Sequence, residues 1–316
     1  MIGIIILNYN NSEDTIACFL SVEKCNTYPC KYVFIDNGSS DKSVDELNAY
    51  FNKNMSENYI KLNKGKVLGL INAPKVSLIV NDNNVGYAQG NNIGCRYFEK
   101  DSDIDYILVL NNDILFIEDI LPTMVRFLKE HKEAAIVSPV LMKKDGIEYD
   151  FNCARENVSI KDLFKLYFPY FSKLRIGKTY DSNKHKVLLS NPSLLNRDYF
   201  EIELPSGSCM LIDKSFFYKI DYFDPNTFLY YEENILHEKI SRLGLKNYLL
   251  PQLKCIHLGA STMSQTKFTY SQMVRKASSA FYYGINYSGM NTMEKIFFRL
   301  VYLLFVIKLK ISLWMK

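Results

Sequence analysis

The apolar run Tyr106-Ile107-Leu108-Val109-Leu110 stops abruptly in Asn111-Asn112-Asp113. An unbroken apolar run of this kind reads as a strand buried on both faces. In open α/β sheets ligands sit beyond the carboxyl ends of strands. A carboxylate there can hold a divalent cation, and the cation can hold a phosphate. Asn and Asp also form turns, so the triplet alone fits a plain turn equally well. Three earlier apolar runs end the same way. Gly3–Leu7 runs into Asn8-Tyr9-Asn10, and Tyr32–Ile35 into Asp36-Asn37-Gly38-Ser39-Ser40-Asp41. Val76–Val80 is followed by Asn83-Asn84-Val85-Gly86-Tyr87. Four polar strand ends brought to one sheet edge would make a binding crevice.

The elements that must position these ends alternate strand with helix over the first 140 or so residues. Ser12 is expected to cap a helix running to Glu23, and a second helix runs from about Asp41 through Leu47 and Phe51. The stretch from Asn52 to Lys75 reads as an extended connection with some strand. A helix after Asn92, one begun by Leu121-Pro122 and a strand at Ala135–Ser138 complete the alternation. This pattern predicts an α/β fold with a mostly parallel, Rossmann-like central sheet flanked by helices. The alternation breaks over 143–204, which reads as an insertion: a surface unit with a small core, or a lid or interfacial element. Beyond it, Cys209–Ile212 reads as a strand, and Glu232-Glu233 open a helix ended by Gly244. Acids at a helix start are favoured by its dipole, so this pair alone need carry no chemistry. Asn247–Leu250 and Cys255-Ile256 are strand-like, and His257 follows them. The expected organisation is thus 1–142, the insertion 143–204, 205–283 as the other half of the same domain, and a helical tail over 284–316.

Composition bounds the reading. Hydrophobic content of 48% and charge of 23% are ordinary for a globular chain. Seven cysteines with no CxxC pair argue against a disulfide framework or a structural zinc site, and suit a reducing cytosol. No signal peptide is expected ahead of a strand that begins almost at Met1. The net charge of +4 resides entirely in Asn291–Lys316, where five basic residues face one acid. A basic tail on a neutral body points to an anionic surface and away from a nucleic-acid groove.

Taken in order, several motifs resemble family-2 glycosyltransferases of the GT-A fold, in particular bacterial rhamnosyltransferase-like members. They are Ile6-Leu7-Asn8-Tyr9-Asn10, Ile35-Asp36-Asn37-Gly38-Ser39-Ser40-Asp41, Asn84 through Asn92, Leu110-Asn111-Asn112-Asp113, Gly207-Ser208-Cys209-Met210-Leu211-Ile212, Phe223-Asp224, Tyr231-Glu232-Glu233 and His257. The resemblance covers roughly 1–142 and 205–283. It implies inverting transfer of a sugar from a UDP- or dTDP-sugar. By the same resemblance Leu7, Asn8 and Tyr9 lie against base and ribose, and Asp36 accepts from the N3–H of uracil or thymine. Asn37, Asn84, Gly86, Asn91, Asn111 and Asn112 shape the nucleotide side. Asp113 would ligate Mn²⁺ or Mg²⁺ with help from His257, and an imidazole ligand favours Mn²⁺. Gly207 and Ser208 border the donor sugar and acceptor. Glu233, preceded by Glu232, stands where the family places the base that takes the acceptor proton. Two departures stand out: Asn111 replaces the first acid of the DxD-like motif, and Glu233 replaces the usual Asp.

The tail from Lys295 to Lys310 fits a helix whose apolar core, Leu300–Ile307, is too short to span a bilayer. Lying on a membrane surface, being buried, or forming a homodimer contact all fit it. The expected partners are a nucleotide-sugar donor, a glycan or polyprenyl-linked acceptor, and the inner face of the cell membrane, with no nucleic acid. Against this enzyme stand a catalytically degenerate nucleotide-binding scaffold at the membrane and a nucleotidyltransferase. The latter needs a basic, glycine-rich triphosphate loop after the first strand, and Asn8-Tyr9-Asn10-Asn11 is not one.

Overall fold

The computed structural model describes residues 1–63, 72–167, 192–259 and 270–314. Five strands, β1 (Ile2–Asn8), β2 (Cys30–Asp36), β3 (Tyr59–Asn63), β4 (Val76–Val80) and β5 (Tyr106–Asn111), pair in parallel in the order β3-β4-β2-β1-β5. The sheet continues with one antiparallel strand, β11 (Cys209–Asp213), between β5 and β7 (Ala134–Met142), and then a parallel pair, β7 with β12 (Lys246–His257). β6 (Ile114–Phe116) and β9 (Phe200–Ile202) both pair antiparallel with β12. A separate pair joins β8 (Ala154–Arg155) to β10 (Leu204–Pro205).

Period-two alternation sorts the side chains into two cores. Ile2, Ile4, Ile6, Tyr32 and Phe34 meet α1 (Ser12–Cys25), α2 (Ser43–Met55) and α4 (Leu121–Glu130) on one face. Ile5, Val33 and Ile35 meet α3 (Tyr87–Phe98), α7 (Lys214–Lys219) and α8 (Glu232–Ser241) on the other. A third core forms outside the sheet. There α5 (Ile160–Tyr167), α9 (Tyr270–Asn286) and α10 (Thr292–Trp314) close around Tyr167, Tyr283 and Phe298. The short α6 (Pro192–Leu195) precedes β9.

Several boundaries differ from expectation. The cap of α1 is Asn11, whose side chain accepts from Asp14 N; Ser12 is the first helical residue. The two strand-like stretches before His257 are one bulged strand, with its register shift between Leu250 and Lys254. Tyr59–Asn63 is a full edge strand, since it can pair with β4 on one side only. Within 143–204, β9 extends the main sheet and α5 packs into the third core. The aromatic run beyond Tyr167 lies outside the described residues.

Candidate active site

The expected strand ends converge. Register places Asn8 beside Asp36 and Leu7 beside Asn111, with Asp36 beside Val80 one strand further out. Asn8 and Asp36 are both fully buried, and Asn8 Nδ2 donates to Asp36 Oδ2 at 2.7 Å. Ser39 completes the cluster, donating from its backbone N to Asp36 Oδ1 (3.0 Å) and from its hydroxyl to Oδ2 (2.6 Å). Thr15 donates to Asn8 Oδ1 at 2.8 Å. A base that reached Asp36 would therefore exchange with one of these bonds. Tyr9, by contrast, is 37% exposed at the sheet edge.

Asn37 fastens the next loop. Its Nδ2 donates to Asn84 Oδ1 (3.1 Å) and Gly86 O (3.2 Å), while its Oδ1 accepts from Asn81 Nδ2 (3.1 Å) and Val85 N (3.2 Å). Gly86 has φ +86°, and a Cβ there would stand 2.2 Å from Phe228 O. No L side chain fits, so the loop turns tightly into α3. From α3, Tyr87 N donates to Phe228 O (2.9 Å), and Asn92 makes a two-way bond with the Phe223 backbone. Asn91 donates to Tyr87 O and leaves its buried Oδ1 without a partner. Asn112 ties the end of β5 to α1 through Thr15 Oγ1 at 3.0 Å.

Asp113 follows directly and is 6% exposed. Pairing of β6 with the end of β12 sets Ile114 opposite His257, so His257 Nε2 comes 3.3 Å from Asp113 Oδ2. Asp113 Oδ1 is buried with no hydrogen-bond partner. His257 Nδ1 lies 2.6 Å from Asp150 Oδ2. Burial opposes charge on the imidazole, but its bonds to Asp113 and Asp150 outweigh that and hold its pKa up to about 10. Burial likewise works against the Asp150 carboxylate, yet the His257 bond keeps it below the usual range.

A ring nitrogen and a carboxylate facing each other, with an orphaned second oxygen and a further carboxylate behind the ring, suit a divalent cation held by Asp113 and His257, which would have to displace the ring's Nε2 proton. Asp150 would then orient the ring from behind. Among the described residues no group of three His, Cys, Asp or Glu side chains forms a metal cage. Two protein ligands leave the rest of such an ion's coordination to water and phosphate.

The other candidate carboxylate is reached across one strand. Asn111 N donates to Ser208 O at 2.9 Å and Asn111 Nδ2 to Ser208 Oγ at 3.1 Å. Next to Ser208, Gly207 N donates to Glu233 Oε1 at 3.1 Å, and Arg155 Nη2 reaches the same oxygen at 3.1 Å. Oε2 carries neither contact. A Cβ on Gly207 would stand 2.9 Å from Glu233 Oε1 and 2.8 Å from the Tyr87 hydroxyl, so glycine permits the approach. Tyr87 in turn donates to Gly207 O at 2.6 Å. Glu232 faces inward: burial, and then the neighbouring Glu233 charge, push its pKa up to about 8. Its Oε1 has no partner. Tyr230 and Tyr231, just before the pair, are both left-handed (φ 76° and 71°), a strained entry to α8.

Asp150 and Arg155 were not among the sequence candidates. Both belong to the stretch read as an insertion, and neither sits in a motif. A turn at Asp145–Glu148 pairs Met142 with Tyr149 and returns the chain beside β7, so Asp150 N bonds Leu141 O. The β8–β10 pairing then sets Arg155 opposite Leu204. No local pattern marks them, since the residues between, Phe151-Asn152-Cys153-Ala154, are mostly apolar.

Comparison with known proteins gives the class. The family model for glycosyl transferase family 2 matches residues 3–221, and the chain belongs to that family. It is 27% identical to rhamnosyltransferase WbbL of Escherichia coli (strain K12) over 175 residues, 54% of this chain and 60% of that protein. It is 22% identical over 275 residues to the low-salt glycan biosynthesis hexosyltransferase Agl10 of Haloferax volcanii, 86% of this chain and 71% of that one. The fold is GT-A. It is similar to the crystal structure of GalNAc-T7 with UDP, GalNAc and Mn²⁺, with a TM-score of 0.54 at 15% identity over 82% of this chain and 44% of that one.

Proposed function

We propose that the protein transfers a sugar, of rhamnosyl or hexosyl type, from a UDP- or dTDP-sugar to a glycan or polyprenyl-linked glycan, with inversion at the anomeric carbon. The observation that carries this reading is the pairing of two unlike carboxylates. Asp113, its Oδ1 unpartnered and His257 at 3.3 Å, can hold a cation. Glu233, one strand away and fixed through Oε1 alone, can take a proton at Oε2.

Asp113 and His257 would hold Mn²⁺ or Mg²⁺, whose charge stabilises a departing nucleoside diphosphate. The mutually bonded amides and hydroxyls of Asn8, Ser39, Asn37 and Asn84 would shape the nucleotide's seat, with Tyr9 against the base. The acceptor hydroxyl gives its proton to Glu233 Oε2 as its oxygen attacks the anomeric carbon from the side opposite the leaving group. Holding Oε1 by Gly207 and Arg155 fixes where Oε2 points, which matters because the glutamate is one methylene longer than the family's aspartate. The names of WbbL and Agl10, a rhamnosyltransferase and a hexosyltransferase, support the sugar class. Such an acceptor places the work in surface polysaccharide synthesis at the inner face of the cell membrane.

The test is a panel of UDP- and dTDP-sugars with Mn²⁺ or Mg²⁺ and glycan or polyprenyl-linked acceptors, read as nucleotide release and product mass. Transfer by one donor class, abolished by EDTA and by Asp113→Asn, is expected. Failure of every donor, together with no calorimetric binding of UDP or dTDP, overturns the reading.

A further inference from the structure

We propose that the solvent-facing side of α10 docks on an anionic lipid bilayer; its purpose rests on the acceptor reading above, its physics does not. One side of α10 is buried: Phe298, Val301 and Phe305 pack against Leu163 and Tyr167 of α5 and Ala277 of α9. The other side is apolar too. Met293, Ile296, Leu300, Leu303, Leu304 and Ile311 are between 41% and 75% exposed. At about 100° per residue these six fall within about 100° of arc. A continuous exposed apolar stripe on this scale marks an interaction surface.

Charge selects the occupant. Arg299 lies about 40° beyond one edge of the stripe. Lys295 lies further round on the Arg299 side. From Lys295 to Trp314 the sequence has no acid. The single acid of the tail, Glu294, is engaged in a cap: Asn291 N donates to Glu294 Oε2 (2.8 Å) and Glu294 N to Asn291 Oδ1 (3.0 Å). Two such helices laid stripe to stripe would bring basic flanks together with no acid to pair them. Anionic headgroups pair them directly while the stripe enters the acyl boundary. Among the described residues no helix is long and apolar enough to cross a membrane, so α10 would lie in the surface plane.

The docking face is backed by the candidate site. α9 packs behind α10, and its Tyr283 ring lies 5.5 Å from that of Tyr231, the residue before Glu232. Tyr283 also donates to Glu238 of α8 at 3.0 Å. A bilayer on α10 would therefore hold a lipid-linked acceptor on the Glu233 side of the molecule.

The test is flotation of the full chain with vesicles of phosphatidylcholine alone, and with about 30 mol% phosphatidylglycerol added. Binding to the mixed vesicles, about tenfold weaker to phosphatidylcholine alone and reduced by salt, is expected. The double variant Leu300→Glu/Leu304→Glu should lose about tenfold or more in binding while keeping its circular dichroism and melting temperature. Lys295→Gln/Arg299→Gln should weaken binding to the charged vesicles alone. Equal binding by the Leu300/Leu304 variant overturns the proposal. So does absence of vesicle binding, most directly if the wild type is a dimer that the same variant makes monomeric, since a second copy then covers the stripe. No donor or acceptor enters the assay, so its failure and that of the glycosyl-transfer reading are separate results.

Discussion

On the side proposed to take the nucleotide, the groups at the strand ends are mostly amides and hydroxyls bonded to one another; on the side of Glu233 and His257 they are mostly charges. Asn8 and Ser39 donate to Asp36, and Thr15 donates to Asn8. Asn37 spends both ends of its amide on the loop that leads to α3. Such a region is rigid before any ligand arrives and offers a neutral frame for a base and ribose. Across β5, Asp113, His257 and Asp150 form one charged row, and Glu233 meets Arg155. In the proposed reaction these are the groups that would change their proton or metal bonding. Fixed amides suit recognition, and convertible charges suit chemistry.

That contrast can be broken by substitution. The largest expected effect is from Glu233→Gln, which removes the proton acceptor and keeps the Gly207 contact. Turnover should fall about 10²–10⁴-fold with UDP or dTDP binding unchanged by calorimetry. Unchanged turnover would make Glu233 structural and leave the proton to another base. Arg155→Met should lower kcat about 10–100-fold at constant nucleotide affinity, with partial recovery in Arg155→Lys. An effect on nucleotide affinity alone would move Arg155 to the other side of the comparison.

Asn37→Ala tests the neutral side. It leaves Val85 N without its partner and should destabilise the fold by about 1–3 kcal/mol, seen in urea unfolding. It should raise KM for the donor more than it lowers kcat. The smallest effect is from Glu232→Gln. The folded pKa of Glu232 is raised to about 8 from an ordinary 4.5, so its stabilising contribution is complete below about pH 4.5 and lost as pH rises through 8. The neutral glutamine should therefore melt higher than wild type near pH 8.5 and alike near pH 4.5, by about 2–4 °C for each kcal/mol relieved.

The two sides also differ in how far the chain reveals them. Asn8, Asp36 and Asn111 each end an apolar run, and a parallel sheet with crossovers on its faces puts such ends on one edge by topology alone. Local pattern thus sufficed for β1, β2, β4 and β5. It failed at β12, where a bulge between Leu250 and Lys254 carries one strand through a polar interruption that reads as a break. It also gave no hint that β9 would join the main sheet, because β9 is only three residues long and owes its place to β12. A strand that short has no period to read.

From its residues the chain determined the parallel strands β1, β2, β4 and β5 and their polar edge, while only the resemblance in motif order set Asp113 with His257. The structure decided what holds these groups. Asp150 meets His257 across 107 residues because a turn folds Tyr149 back onto Met142. Arg155 meets Glu233 because a two-residue strand pairs with Leu204-Pro205. Contacts between charged groups far apart in sequence leave no periodicity, since each depends on the placement of whole strands. The identity of a side chain states what it can do; its partner is fixed only when the backbone around both is in place.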